Sequence, residues 1–241
     1  MDTIKTGRDG RAASRLLPLS RYTVKEVIAP NYYAVNPTTM TAYLEHQGQI
    51  VSFEVLDESV STGVSIKKSG YGEVMPGGSL RYTITQIANT STVPLASFYW
   101  RDTLPGQAAL QKVVTGTYNQ ALSYKIVYKT NTGGDTYLTL SDNLSTSKNY
   151  VLDASPAALG LAANERVTEV MFVFGQVKGG FAEVETAYIY ATASSGLANG
   201  SSIVNVADVS GVYNGQWIQG VSRWTTTVYS KTTTTLPKTG Y

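Results

Sequence analysis

The chain has 241 residues, 42% of them hydrophobic, which is enough to bury a substantial core and too apolar for an intrinsically disordered chain. Lys and Arg total 19 against 17 Asp and Glu, a net charge of +2 without basic runs, which argues against a nucleic-acid partner. Cysteine is absent, so disulfides, thiolate metal sites and a cysteine nucleophile are excluded. The single histidine, His46, lies in the polar stretch Glu45-His46-Gln47-Gly48 and supports neither a triad nor a metal centre; no metal and no cofactor is expected. No charged-then-apolar leader stands at Met1, and no apolar run is long enough to span a membrane.

Gly (22) and Tyr (17) are frequent, Thr, Ser and Val are abundant, and apolar residues at helical spacing are scarce, so an all-β chain is expected. From the N-terminus, Asp9-Gly10, Leu17-Pro18-Leu19, Tyr22-Thr23-Val24-Lys25-Glu26-Val27 and Ala29-Pro30 are followed by strands expected near Thr41 to Leu44 and Ile50 to Leu56. These residues resemble the C-terminal part of a Cna B-type domain, also called SpaA-like or prealbumin-like. Ser20 and Tyr32 stand where that family usually has turn glycines, and its opening strand with a reactive lysine has no counterpart here. The resemblance assigns Glu26 as the family's catalytic acid and places Asp57 near its acceptor position. Without the lysine, that site is incomplete.

From Ser59 onward the landmarks are Val64-Ser65-Ile66-Lys67-Lys68-Ser69-Gly70, Pro76-Gly77-Gly78, Tyr82-Thr83-Ile84, Asn89-Thr90 and Phe98-Tyr99-Trp100-Arg101-Asp102-Thr103-Leu104-Pro105. Leu122, Tyr124, Ile126 and Tyr128 alternate on one face of a strand. The turn residues Asn131 to Asp135 and a second run from Thr136 to Leu140 complete a hairpin. Ser155 to Asn164 reads as a short helix or a loop, and Val170 to Phe174 as a strand buried on both faces. Glu183 and Glu185 share a strand face, read as solvated. With Phe172 to Gly175, Gly180-Phe181, Ile203 to Asp208, Trp217 and Trp224, this segment resembles the immunoglobulin-like, often isopeptide-forming modules of Gram-positive surface proteins.

An intramolecular Lys-Asn amide needs a neutral lysine amine, a carboxamide and a protonated acid in a dry core. Burial lowers a lysine's pKa and raises an acid's, so desolvation prepares both groups. The candidates are Lys68, Asn205 and Asp102. Lys68 shares strand parity with Val64 and Ile66, Asn205 with Ile203 and Ala207, and Asp102 with Phe98 and Trp100, so all three can face one core. The alternative is that Lys68 snorkels from a strand end, Asn205 caps a turn and Asp102 opens the Asp-Thr-Leu-Pro turn.

The chain closes with a Thr run and Leu236-Pro237-Lys238-Thr239-Gly240. This L-P-x-T-G string resembles the sorting signal of Gram-positive cell-wall proteins, in which a sortase cleaves the Thr-Gly bond and transfers the acyl group to a cell-wall amine. In the family an apolar run of roughly 20 residues and a basic tail follow; together with the missing leader, this predicts further sequence at both ends. The expected organisation is tandem prealbumin-like and immunoglobulin-like β-sandwiches over 1–58 and 59–229, with a disordered tail over 230–241. The expected function is a stalk, adhesin or pilin-like segment of a cell-wall-anchored extracellular protein, not an enzyme. Sortase and peptidoglycan, joined through Thr239, are the implied partners. The alternative is a secreted or surface-attached module that binds host glycan or matrix protein through exposed aromatics; a hydrolase using paired carboxylates finds no supporting motif.

Overall fold

A computed structural model describes residues 2–30 and 33–230. The sorting motif from Leu236 to Gly240 lies outside the described residues, as do Tyr32 and all of the 230–241 tail except Ser230. The architecture is all-β. The chain divides into two compact units, Met1–Val60 and Ser61–Tyr241.

In the first unit β1 (Ser20–Lys25) pairs antiparallel with β2 (Thr39–Leu44), so that Tyr22 faces Ala42 and Val24 faces Met40. Ile50 to Leu56, expected as a strand, belongs to none; Ile50 and Leu56 are exposed. Its apolar alternation suits a strand, yet a strand forms only where a neighbour's backbone groups meet its own. Among the described residues this segment finds no such neighbour.

The second unit begins with β3 (Val64–Gly70), β4 (Glu73–Val74), β5 (Ser79–Asn89), β6 (Leu95–Thr103), β7 (Ala108–Val114), β8 (Thr117–Tyr118) and β9 (Ser123–Thr130). It continues through β10 (Leu138–Ser145), β11 (Val151–Asp153), β12 (Val167–Val177), β13 (Glu183–Glu185), β14 (Ala187–Ala193), β15 (Ser202–Tyr213) and β16 (Gln216–Val228). A seven-stranded sheet, ordered β10-β9-β12-β6-β15-β16-β4, and a five-stranded sheet, ordered β11-β7-β14-β5-β3, share one hydrophobic core. The expected hairpin is β9 with β10, Leu138 opposite Tyr128. Ser155 to Asn164 forms turns rather than a helix.

Alternation explains most of the strands. In β5, Leu80, Tyr82 and Ile84 point into the core while Arg81, Thr83 and Thr85 stay partly exposed. Gln86, at φ 56°, then shifts the parity, so that Ile87 and Asn89 are also buried. β6 makes the same adjustment at Ser97 (φ 51°), between buried Leu95 and buried Phe98. In β12, Val170, Phe172 and Phe174 are buried but Met171 and Val173 are only half-buried, so this strand is covered on one face rather than two. The reason is its place in the sheet: β12 is an interior strand, and its second face is the sheet's outer surface.

Aromatic stacking fills the centre. Trp100 stacks on Phe172 with centroids 3.9 Å apart, and its indole N–H donates to the Tyr118 hydroxyl at 3.0 Å. Phe98, Tyr118, Tyr124, Phe174 and Phe181 pack around the pair edge to face or stacked, the geometry that ring quadrupoles favour. The core that surrounds the polar residues described next is therefore apolar and close-packed.

Candidate functional site

Lys68, Asp102 and Asn205 are all buried, each at most 3% exposed. Lys68 comes from β3, the edge of the five-stranded sheet, whereas Asp102 on β6 and Asn205 on β15 lie side by side in the seven-stranded sheet. Asp102 faces Ala207 across the β6–β15 pair, which puts Asn205 on the diagonal, on the same inward face. Across the core, Gly70 of β3 faces Tyr82 of β5, so Lys68 is diagonal to Tyr82. The Lys68 ammonium is ion-paired to Asp102 Oδ2 and stands 4.6 Å from the centre of the Tyr82 ring.

The chain also seals the site. Lys68 N–H donates to Ser222 Oγ at 2.9 Å, and the Trp224 indole N–H donates to Tyr71 O at 2.9 Å, which draws β16 over the edge of β3. Gly70 permits this approach. A Cβ there would stand 2.9 Å from Arg81 O and 3.1 Å from the Trp224 ring, too close for any side chain.

The polar balance of this cluster is unusual. Asp102 Oδ1, Tyr82 Oη and both polar atoms of Asn205 are buried without a hydrogen-bond partner. Each such orphan costs about 1–3 kcal/mol, and a buried ion pair contributes little to stability after its desolvation. Native cores rarely leave several such groups together. Burial pushes the Lys68 ammonium below its ordinary pKa, against the pull of Asp102, and so favours the free amine. Burial first, and then the Asp102 charge, push the Tyr82 phenol from 10.0 up to about 12, with the Asn205 side chain opposing the shift. The phenol makes no hydrogen bond to the carboxamide, and both groups are buried.

Tyr124 is likewise raised from 10.0 to about 12 by burial, and Tyr118 is raised further by the same cause. A phenol whose native pKa exceeds its unfolded value stabilises the fold fully below the unfolded pKa and loses that contribution as pH rises through the native one. Unfolding is therefore expected between pH 10.0 and about 12. Tyrosinate absorbance and circular dichroism should change together there; tyrosines that ionise while the dichroism stays native would contradict it.

In the first unit, neither Glu26 nor Asp57 takes part in an ion pair among the described residues. Glu26 instead accepts the Asn36 backbone N–H at 2.6 Å, and Asn36 Nδ2 donates to Leu56 O at 3.0 Å. Asp57 is half-buried, with Oδ1 unpartnered. His46 sits in a turn closed by the Gln49 N–H. Glu183 departs from the solvated reading: it is half-buried, its pKa is raised by burial, and it accepts the Ile87 N–H at 3.1 Å beside the β5 irregularity. Among the described residues no group of His, Asp or Glu is arranged to hold a metal, and no helix is long and apolar enough to cross a membrane.

Sequence reasoning missed Tyr82. The available signal was its parity with Leu80 and Ile84, a polar-tipped ring in the middle of an otherwise apolar strand face.

No family model and no curated protein matches the chain. Among solved structures, the chain is similar to the major pilin subunit BcpA of Bacillus cereus, at 14% identity and a TM-score of 0.41, over 95% of this chain and 60% of that one. It is also similar to the full-length major pilin SpaD of Corynebacterium diphtheriae, at 17% identity and a TM-score of 0.33, over 93% of this chain and 50% of that one. A third is the collagen-binding domain of a Staphylococcus aureus adhesin, at 12% identity and a TM-score of 0.32, over 67% of this chain and 99% of that domain. The chain thus spans between half and three fifths of the two pilin chains.

Proposed function

We propose that this chain is a load-bearing segment of a bacterial surface protein, a stalk or pilin-like shaft rather than an enzyme, in which Lys68 and Asn205 become joined by an amide bond. One observation carries this reading: a lysine-carboxylate pair and a carboxamide with no hydrogen-bond partner share a closed core. In the reaction the Lys68 ammonium passes a proton to Asp102, and the free amine attacks Asn205 Cγ. The bond from Cγ to Nδ2 breaks as Asp102 returns that proton to Nδ2, ammonia leaves, and the Asp102 carboxylate takes the second proton that Nζ sheds as the amide forms. The product removes the charge and the surplus N–H donors, and the protonated acid is left to hydrogen-bond the new carbonyl. The core's orphaned groups become partnered.

An amide across the two sheets ties the first strand of the second unit to a late one, which suits a cysteine-free chain under tension. The test is the denatured intact mass. It should fall short of the unmodified sequence by one ammonia, and a full unmodified mass would overturn the cross-link. The reading extends to the tail, where Leu236 to Gly240 serve a sortase and Thr239 becomes the attachment point to peptidoglycan. Incubation with a sortase and an amine nucleophile should convert Thr239 to an amide of that nucleophile, and an uncleaved chain would remove the anchoring step.

A second reading, a face for host glycan or matrix protein, is favoured by Trp217, which is 57% exposed and packs edge to face with Tyr99 at 6.3 Å on the outer surface of the seven-stranded sheet. Glycan or matrix binding that vanishes in Trp217→Ala would support it; a chain that binds nothing is a pure stalk.

A further inference from the structure

The proposed amide has one unmet requirement. As the amine adds to Asn205 Cγ, negative charge gathers on Oδ1, and in a water-excluded core that charge needs donors aimed at it beforehand. Asp102, once it has taken the lysine proton, offers a single O–H. Among the other side chains of the cluster, the Trp224 indole already donates to Tyr71 O, and Ser222 Oγ is held at the Lys68 backbone N–H, from which it accepts. The Tyr82 hydroxyl is buried without a partner, as is Asn205 Oδ1, and it belongs to a ring already positioned beneath the Lys68 amine.

We infer that the Tyr82 hydroxyl donates a hydrogen bond to Asn205 Oδ1 during the attack by Lys68, so that Tyr82 and Asp102 together stabilise the tetrahedral intermediate. This rests on the Lys68-Asn205 reading above. The phenol O–H bond does not break: Tyr82 donates a hydrogen bond while Asp102 carries the proton from Nζ to Nδ2. The ring has a second task, since its face is turned to the ammonium before the proton leaves. The same geometry explains a buried hydroxyl without a ground-state partner: the acceptor it serves is strongest only in the intermediate.

Tyr82→Phe separates the two tasks, because it keeps the ring and removes the donor. Chains made unfolded, then refolded and sampled by intact mass over time, give the rate of ammonia loss. In Tyr82→Phe that rate should fall about 100-fold, the usual effect of deleting one such donor. The structural control is the same substitution in an Asn205→Ala background, which cannot cross-link; there the denaturation midpoint should not fall. If the natural chain never loses ammonia, the cross-link itself fails. If it does lose ammonia and Tyr82→Phe loses it as fast, the cross-link stands and the role of Tyr82 is overturned. A slower reaction accompanied by a lowered midpoint in the control background also overturns it, since Tyr82 then acts through packing. Should Tyr82→Phe not fold, a fluorotyrosine incorporated at position 82 keeps the shape and changes the acidity of the hydroxyl. An unchanged rate in that protein counts against the inference.

Discussion

Asn205→Ala is expected to retain the full unmodified mass and to lower the unfolding free energy by about 5 kcal/mol, by analogy with the loss of a disulfide that closes a comparably long loop. The amide would close a loop from Lys68 to Asn205, more than half of the 241-residue chain. Its stabilisation lies mainly in the unfolded state, whose ends it restrains. The substitution is a clean probe because in the variant Lys68 keeps Asp102 as its counter-charge and no unpartnered carboxamide is left in the core. For a unit of this size the midpoint should drop by roughly 10–20 °C. Scanning calorimetry beside intact mass is the measurement. A variant as stable as the natural chain would mean that the bond, if formed, bears no load.

Asp102→Ala should cost more. The cross-link is lost because nothing remains to take the lysine proton or return it to the leaving nitrogen. Lys68 is also left in the core without a counter-charge, a penalty of about 3–5 kcal/mol beyond the cross-link when one member of a buried pair is removed. That penalty depends on pH with a definite sign. Burial already depresses the Lys68 pKa, and without Asp102 no carboxylate opposes it. The unfolded chain keeps its lysine proton up to about 10.5 while the native chain does not, so this variant gains stability as pH rises toward that value. Urea midpoints for Asp102→Ala and Asn205→Ala should therefore lie far apart at neutral pH and draw together as pH rises toward 10.5, the tyrosine effect acting on both variants alike. Midpoints that keep their separation would show that the Lys68 charge is not what destabilises the variant.

Much of the sandwich was legible because strands announce themselves by local alternation. Leu122 to Tyr128 with Thr136 to Leu140 gave a hairpin, and the inward parity assigned to Lys68, Asp102 and Asn205 agrees with their burial. The failures share a cause. Ile50 to Leu56 has the composition of a strand and no partner among the described residues. Val170 to Phe174 has the composition of a doubly covered strand, but its sheet presents one of its faces outward. Glu183 looked solvated because the N–H it serves, that of Ile87, is 96 residues away.

What the sequence by itself determined was the all-β class, the shared parity of Lys68, Asp102 and Asn205 with their apolar neighbours, and the absence of disulfides, since these follow from side-chain periodicity and residue type alone. Only the tertiary structure decided that β6 and β15 are neighbours and that β3 lies across the core from them. It thereby set the Lys68 amine against Asp102 and over the Tyr82 ring. Sheet order is a property of contacts between residues far apart in the chain, and no local period encodes it.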